Sequence, residues 1–118
     1  MEERPNRYNM KQKPTDNAAE QIKQRHRKNR LSSIKNELEG GRITTFDQIF
    51  AIITETRMSI EVGISFYAFR RKVKDPGEFT LNELMRLAAL FDVKYDVIDS
   101  FIWNLIKVKS KSKIFHGE

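Results

Sequence analysis

The stretch that decides the fold is residues 55–74, ETRMSIEVGISFYAFRRKVK. Gly63 divides it into two short helical segments, because glycine adopts without steric cost the positive φ that ends a helix. Ser59, four residues earlier, is small enough to let the second helix cross closely over the first. Ser65 can cap the second helix by accepting a backbone N–H. This spacing predicts a helix-turn-helix.

The second helix of this motif, Phe66 to Lys74, has two chemically different faces. Phe66 and Phe69 are three residues apart and share an apolar face that we expect to pack inward. The opposite face is basic, and we expect it to contact phosphates or base edges. The candidate DNA-binding residues are this face, the helix cap and one arginine of the first motif helix: Ser65, Tyr67, Arg70, Arg71, Lys72, Lys74 and Arg57.

Over about residues 43–100 the chain resembles the lambda-repressor-like helix-turn-helix family. The matching residues are Ser59, Gly63, Ile64, Phe69, Pro76 and the helix LNELMRLAALF with Asp92 and Val93 after it. The resemblance implies a prokaryotic transcriptional regulator whose second motif helix enters the major groove of DNA. Many family members open the first motif helix with a glutamine that contacts the DNA backbone, whereas Arg57 and Met58 lie in that neighbourhood here.

Three other functions stay open at this stage. A protein-interaction or assembly module on the same fold is the main alternative, because the family's glutamine is missing and Phe66 and Tyr67 make the second motif helix aromatic. RNA binding has weaker support, since no stacking platform is visible. An enzyme is the least favoured class, because the sequence has no Gly-rich phosphate loop and no metal-ligand spacing. We expect no cofactor and no metal.

Positive charge is concentrated in particular segments. The net charge is +6, and the isoelectric point of about 9.7 favours polyanionic partners. Lys and Arg outnumber Asp and Glu by 9 to 4 in residues 1–30 and by 4 to 1 in both 65–77 and 101–118. Residues 78–100 reverse the balance, at 2 to 5. The positive field is therefore expected at the second motif helix and in both terminal segments.

The sequence before the motif predicts a disordered basic arm over residues 1–16 and a helix over 17–41 that stops at a glycine pair. Large apolar residues recur in this helix only in its second half, which we expect to pack on the domain. The basic first half has three interpretations: a solvated helix, a phosphate-tracking arm or a dimer contact. A short core helix over 46–53 follows, capped by Thr44 or Thr45.

After the motif, Thr80 and Glu83 form a capping box that predicts the start of a broadly apolar helix, with Met85 as core filler. A last helix from about Asp96 has an apolar surface wider than one packing face requires. This surface either joins two subunits or is covered by the N-terminal helix of the same chain. The candidate dimer contacts are Phe101, Ile102 and Leu105, or alternatively the N-terminal helix.

These patterns together predict an all-α protein, a compact four- to five-helix bundle that contains a helix-turn-helix and is preceded by a long basic N-terminal helix. The expected helix-turn-helix domain spans 42–109, and a basic tail spans 110–118. The chain has no cysteine, and it lacks an apolar run long enough to cross a membrane. We therefore expect a cytoplasmic protein. Its expected partner, given the helix-turn-helix, is double-stranded DNA.

Overall fold

The protein is all-α, and its computed structural model describes the backbone of residues 3–117 and the side chains of residues 17–109. The α-helices are α1 (Glu3–Glu39), α2 (Phe46–Phe50), α3 (Glu55–Val62), α4 (Phe66–Lys74), α5 (Leu81–Phe91) and α6 (Tyr95–Gly117). A 3-10 turn, Pro76–Glu78, links α4 to α5. No helix within the described part of the chain is both long and apolar enough to span a membrane.

The chain divides into two units, Met1–Arg30 and Leu31–Glu118. The first unit is helical from Glu3, whereas the sequence predicted a disordered arm over residues 1–16. The side chains of residues 1–16 lie outside the described side chains. Its described side chains, 17–30, are all exposed. The second unit begins inside α1, eleven residues before the domain boundary expected at 42, because Ile34 and Leu38 are buried. The expectation that the second half of this helix packs on the domain is therefore confirmed.

The core of the second unit is built around a phenylalanine cluster. The ring of Phe46 in α2 lies 5.1 Å from that of Phe101 in α6, 5.8 Å from Phe79 and 6.3 Å from Phe69 in α4. Two of these contacts are edge-to-face and one is stacked, which are arrangements favoured by the ring quadrupole. One residue of the shortest helix thus ties α4 and α6 together. The aliphatic part of the core is Ile34, Leu38, Ile43, Ile49, Ile53, Met58, Val62, Ile64, Leu84, Leu87, Ala88, Ile98 and Ile102.

Helices α1, α3 and α5 end in the same way. A residue just beyond the helix has a left-handed conformation: φ is +70° at Gly63 and +55° at Asp92, which directly follow α3 and α5, and +73° at Gly41, the second residue after α1. The next residue donates its N–H back into the helix, as Ile64 does to Ser59 O at 3.0 Å and Val93 does to Ala88 O at 3.0 Å. This is the Schellman arrangement, and it satisfies carbonyls that the helix end would otherwise leave without partners.

The starts of α2, α4 and α5 follow the predicted caps. Thr45 and Thr80 each form a capping box, with Gln48 and Glu83 as the reciprocal partners. Thr54 and Ser65 accept the N–H of the third helical residue in α3 and α4. The predicted helix over 46–53 ends early, at Phe50, although the side chain of Ile53 is still buried.

The expectation for Met85 in α5 is wrong. Met85 is 53% exposed and does not fill the core. Leu81 lies one turn earlier on the same outer face of α5, because residues four apart in a helix stack above one another. The inward face consists of Leu84, Leu87, Ala88 and Phe91.

Part of the apolar surface of α6 is covered by the chain itself, whereas Val108 is 67% exposed. Phe101 and Ile102 are 6% and 4% exposed, and both belong to the same buried cluster as Ile34 and Leu38. These two side chains are therefore not available to a second subunit, which corrects their assignment as dimer contacts. Leu105 is half-buried, and Trp103 points outward at 57% exposure.

Candidate nucleic-acid interface

The turn between α3 and α4 positions the candidate interface. Gly63 has the positive φ expected from the sequence, and Ile64 after it is buried. Ser59 is 2% exposed, and its hydroxyl donates to Thr56 O at 2.7 Å, so the small side chain is satisfied within its own helix. Ser65 then caps α4 through Ala68 N at 3.3 Å. Each part of the predicted helix-turn-helix is present.

One face of helix α4 packs into the core, and the opposite face is exposed to solvent. Phe69 is fully buried and contacts the rings of Phe46 and Phe79. On the opposite face Tyr67 is 80% exposed, and the side chains of Arg70 and Arg71 are 50% and 61% exposed. Ser65 and Lys74 are exposed as well. The structure thus places these five candidate residues at the surface.

The two arginines of this face have carboxylate partners. Arg71 Nε donates to Glu78 Oε1 at 3.1 Å, and Arg70 Nε lies 4.0 Å from Glu55 Oε1. The guanidinium carbon of Arg70 also lies 5.6 Å from the centre of the Phe66 ring. Exposed pairs of this kind contribute at most about 1 kcal/mol. Both guanidinium groups can therefore exchange their partners for phosphate at low cost.

Lys72 is not part of the exposed face. Its ammonium lies 2.6 Å from Glu83 Oε2, and both side chains are only 13% exposed. The structure thus corrects the assignment of Lys72 as a DNA contact: the side chain joins α4 to the capping box of α5. Burial raises the pKa of Glu83, but the hydrogen bonds from Lys72 and Thr80 outweigh burial and leave that pKa below its ordinary value.

Arg57 and Lys74 are both exposed. Arg57 lies in the first turn of α3, close to Thr54, whose hydroxyl accepts its backbone N–H at 3.1 Å. At the other end of the motif, Lys109 of α6 donates to Lys74 O at 3.1 Å and lies 3.5 Å from Asp75. A cation at the end of α4 interacts favourably with the helix dipole.

Sequence reasoning missed Arg86 and Lys109, which hold the motif in place. Arg86 Nη1 on α5 donates to Val62 O at 2.9 Å, so it satisfies a carbonyl at the end of α3. These contacts join residues 24 and 35 positions apart, and no local pattern of sequence announces them. They show that the ends of α3 and α4 are held by side chains of α5 and α6.

Among the described residues, no three His, Cys, Asp or Glu side chains are close enough to hold a metal ion. An open groove of about 340 Å³ lies between the end of α1 and α6, and it is lined by Leu38, Ile43, Val97 and Phe101 among others, with no residue of α4. The candidate interface is thus a convex, exposed helix face. No protein-family model, no curated protein and no solved structure matches this chain.

Proposed function

We propose that this protein is a DNA-binding transcriptional regulator of the lambda-repressor-like kind that reads the major groove with α4. The observation that carries the proposal is the division of α4 into a buried face, centred on Phe69, and an exposed face with Tyr67, Arg70 and Arg71. A helix anchored in this way at the second position of a helix-turn-helix suits insertion into a major groove about 12 Å wide.

The exposed residues take different roles in this proposal. Ser65 and Tyr67 lie at the start of α4, which is the end of the second motif helix that contacts base edges. Arg70 and Arg71 bind phosphates or a guanine, since a guanidinium can donate two parallel hydrogen bonds. Lys74 and Arg57 bind phosphates at the two ends of the motif. Lys72 supports the fold and makes no contact with DNA.

The proposal includes a cytoplasmic homodimer. Because Phe101 and Ile102 are buried, the subunits would meet through the N-terminal helix, whose described side chains from 17 to 30 are exposed. Two copies of α4 would then address half-sites about one helical turn, roughly 34 Å, apart. Analytical ultracentrifugation of the full chain tests the dimer, and a monomer at all concentrations would remove it.

The test of DNA binding is fluorescence anisotropy of the full chain with random duplex DNA across a salt series. The logarithm of affinity falls with the logarithm of salt concentration by about 0.9 per neutralised phosphate. We expect Arg70→Ala with Arg71→Ala to reduce this slope by about 1.8 if both arginines contact phosphates. The melting temperature should change little, because both side chains are half-exposed or more and their ion pairs are weak.

The control variant carries Lys94→Ala with Lys107→Ala, which removes the same charge from exposed positions outside the motif. Its slope should stay close to that of the wild type. If neither the slope nor the affinity changes in the arginine variant, α4 is excluded as the contact. Equal losses of slope in both variants would mean that the interaction depends on overall charge and not on α4. Absence of binding at low salt would refute the proposal.

A second candidate function is a non-enzymatic protein-interaction or assembly module on this fold. Two observations favour it: the arginines of α4 already have carboxylate partners, and Ile60, Leu81 and Met85 are 62%, 63% and 53% exposed. Exposed apolar side chains on α3 and α5 suit a protein partner better than a phosphate backbone. This candidate becomes the better one if the wild type does not bind duplex DNA at low salt.

A further inference from the structure

Tyr67 is the most exposed of the large hydrophobic side chains among the described residues, at 80%. It is also supported: its ring meets that of Phe66 edge-to-face, with centroids 5.7 Å apart and planes at 71°. Phe66 in turn lies beneath the Arg70 guanidinium at 5.6 Å. Tyr67, Phe66 and Arg70 therefore form one connected surface cluster on the first two turns of α4. Phe66, which was expected to pack inward with Phe69, lies outside the buried core.

The position of this cluster matters for DNA recognition. Ser65 is the cap of α4, so Tyr67 is the second helical residue, and Arg70 lies one turn further on. Residues three apart on a helix have Cβ atoms about 5–6 Å apart, which is between one and two steps of the roughly 3.4 Å base-pair rise. In the proposed pose, Tyr67 and Arg70 therefore contact the same or neighbouring base pairs.

The chemistry of the two side chains selects different bases. In the major groove thymine alone presents a methyl group, which an apolar ring can contact, while guanine presents two acceptors that suit arginine. Asparagine and glutamine, the side chains that bond adenine with two hydrogen bonds, are absent from α4, FYAFRRKVK. Of the two arginines, Arg70 has the looser carboxylate partner, at 4.0 Å against 3.1 Å for Arg71.

We propose that the Tyr67 ring recognises the methyl group of thymine, and that Arg70 reads a guanine within one or two base pairs of it. The inference rests on the proposed function and names the DNA sequence class that α4 takes. Discrimination at the thymine comes from methyl contact alone, so it should persist in Tyr67→Phe and disappear in Tyr67→Ala.

The experiment uses the full chain to select duplexes from a random pool. The selected duplex is then synthesised again with uracil in place of each thymine, which removes only the methyl groups. We expect binding to weaken by about fourfold for each contacted thymine, the equivalent of one buried methyl group. Tyr67→Ala should bind the thymine and uracil duplexes equally, whereas Trp103→Ala, which removes an exposed aromatic side chain of α6, should keep the wild-type preference.

The outcomes separate this inference from the proposed function. If the wild type binds DNA but treats the two duplexes alike, the thymine contact is refuted and the proposed function stands. A selected sequence without thymine near guanine, or loss of the preference in Tyr67→Phe, would also overturn the inference. If the wild type selects no duplex from the pool at low salt, the proposed function fails and the inference fails with it.

Discussion

Replacing Glu83 with alanine should destabilise the protein more than the loss of any exposed carboxylate. The side chain accepts hydrogen bonds from Lys72 Nζ at 2.6 and 2.7 Å and from Thr80 N at 2.8 Å. Both charged side chains are 13% exposed, so the alanine variant leaves the ammonium of Lys72 desolvated and without its partner. Breaking a fully buried ion pair in this way costs about 3–5 kcal/mol.

The expected loss is smaller than that range because a lysine side chain can swing toward water. We expect about 2–3 kcal/mol from the ion pair and up to about 1 kcal/mol from the lost capping hydrogen bond, hence about 3 kcal/mol in total. Glu83→Gln should cost less than alanine, since the amide oxygen can still accept the N–H of Thr80 as in other capping boxes. Lys72→Ala should also cost less, because Glu83 keeps its bond to Thr80.

Urea unfolding at pH 7 and 25 °C measures these differences as free energies. The matched control is Glu78→Ala, which removes the carboxylate of the exposed Arg71 pair and should cost no more than about 1 kcal/mol. If Glu83→Ala costs no more than Glu78→Ala, the pair does not join α4 to α5 as described. The same result would return Lys72 to the set of candidate DNA contacts.

Three further predictions concern pH, the turn and the outer face of α5. Because the pKa of Glu83 is lowered in the folded state, its charge stabilises the protein above the pKa of an unfolded glutamate, about 4.3. This contribution is lost as pH falls through the folded pKa, so the difference in unfolding free energy between wild type and Glu83→Gln should shrink below about pH 4. A difference that stays constant from pH 7 to pH 3 in urea unfolding would contradict this prediction. Gly63→Ala should lower the free energy of unfolding by about 1–2 kcal/mol because φ is positive there. The control Gly77→Ala, whose Cβ would meet only atoms at 3.9 and 4.0 Å, should stay within about 0.5 kcal/mol of wild type. Equal shifts in melting temperature for the two variants would disprove the left-handed turn. Met85→Ala should lower the free energy of unfolding by under about 1 kcal/mol, and Leu87→Ala should lower it by about 2–5 kcal/mol because Leu87 is buried. Comparable losses for the two variants in urea unfolding would mean that Met85 belongs to the core.

Much of the fold was predictable because its determinants are local. Gly63, Ser65 and the pair Thr80 and Glu83 act within four residues of chain, and each forms the turn or cap expected of it. The inward position of Phe69 follows from helical periodicity. Such features depend on backbone conformation and on neighbours in sequence, so they can be read before any tertiary structure is known.

The failed expectations depend on how helices pack against one another. Met85 and Leu87 are equally apolar in the sequence, and only the rotation of α5 about its axis decides that the first is exposed. In the sequence Lys72 is a basic residue like its neighbours Arg70 and Arg71. Its ammonium group nevertheless pairs with the carboxylate of Glu83, eleven residues away, and is not exposed with the two arginines. The exposed basic face of α4 suits DNA, and the exposed apolar residues of α3 and α5 suit a protein partner.

The start of the second unit inside α1 has a consequence for any attempt to move this fold into another protein. A cut at the glycine loop, leaving a fragment that begins at residue 42, removes Ile34 and Leu38, which are 0% and 6% exposed. Losing each costs about 2–5 kcal/mol, and the two losses approach the whole stability of a domain at about 5–15 kcal/mol. A transplanted piece should therefore begin at Leu31, in the middle of a helix, because recombination at the loop would remove most of the stability of the domain.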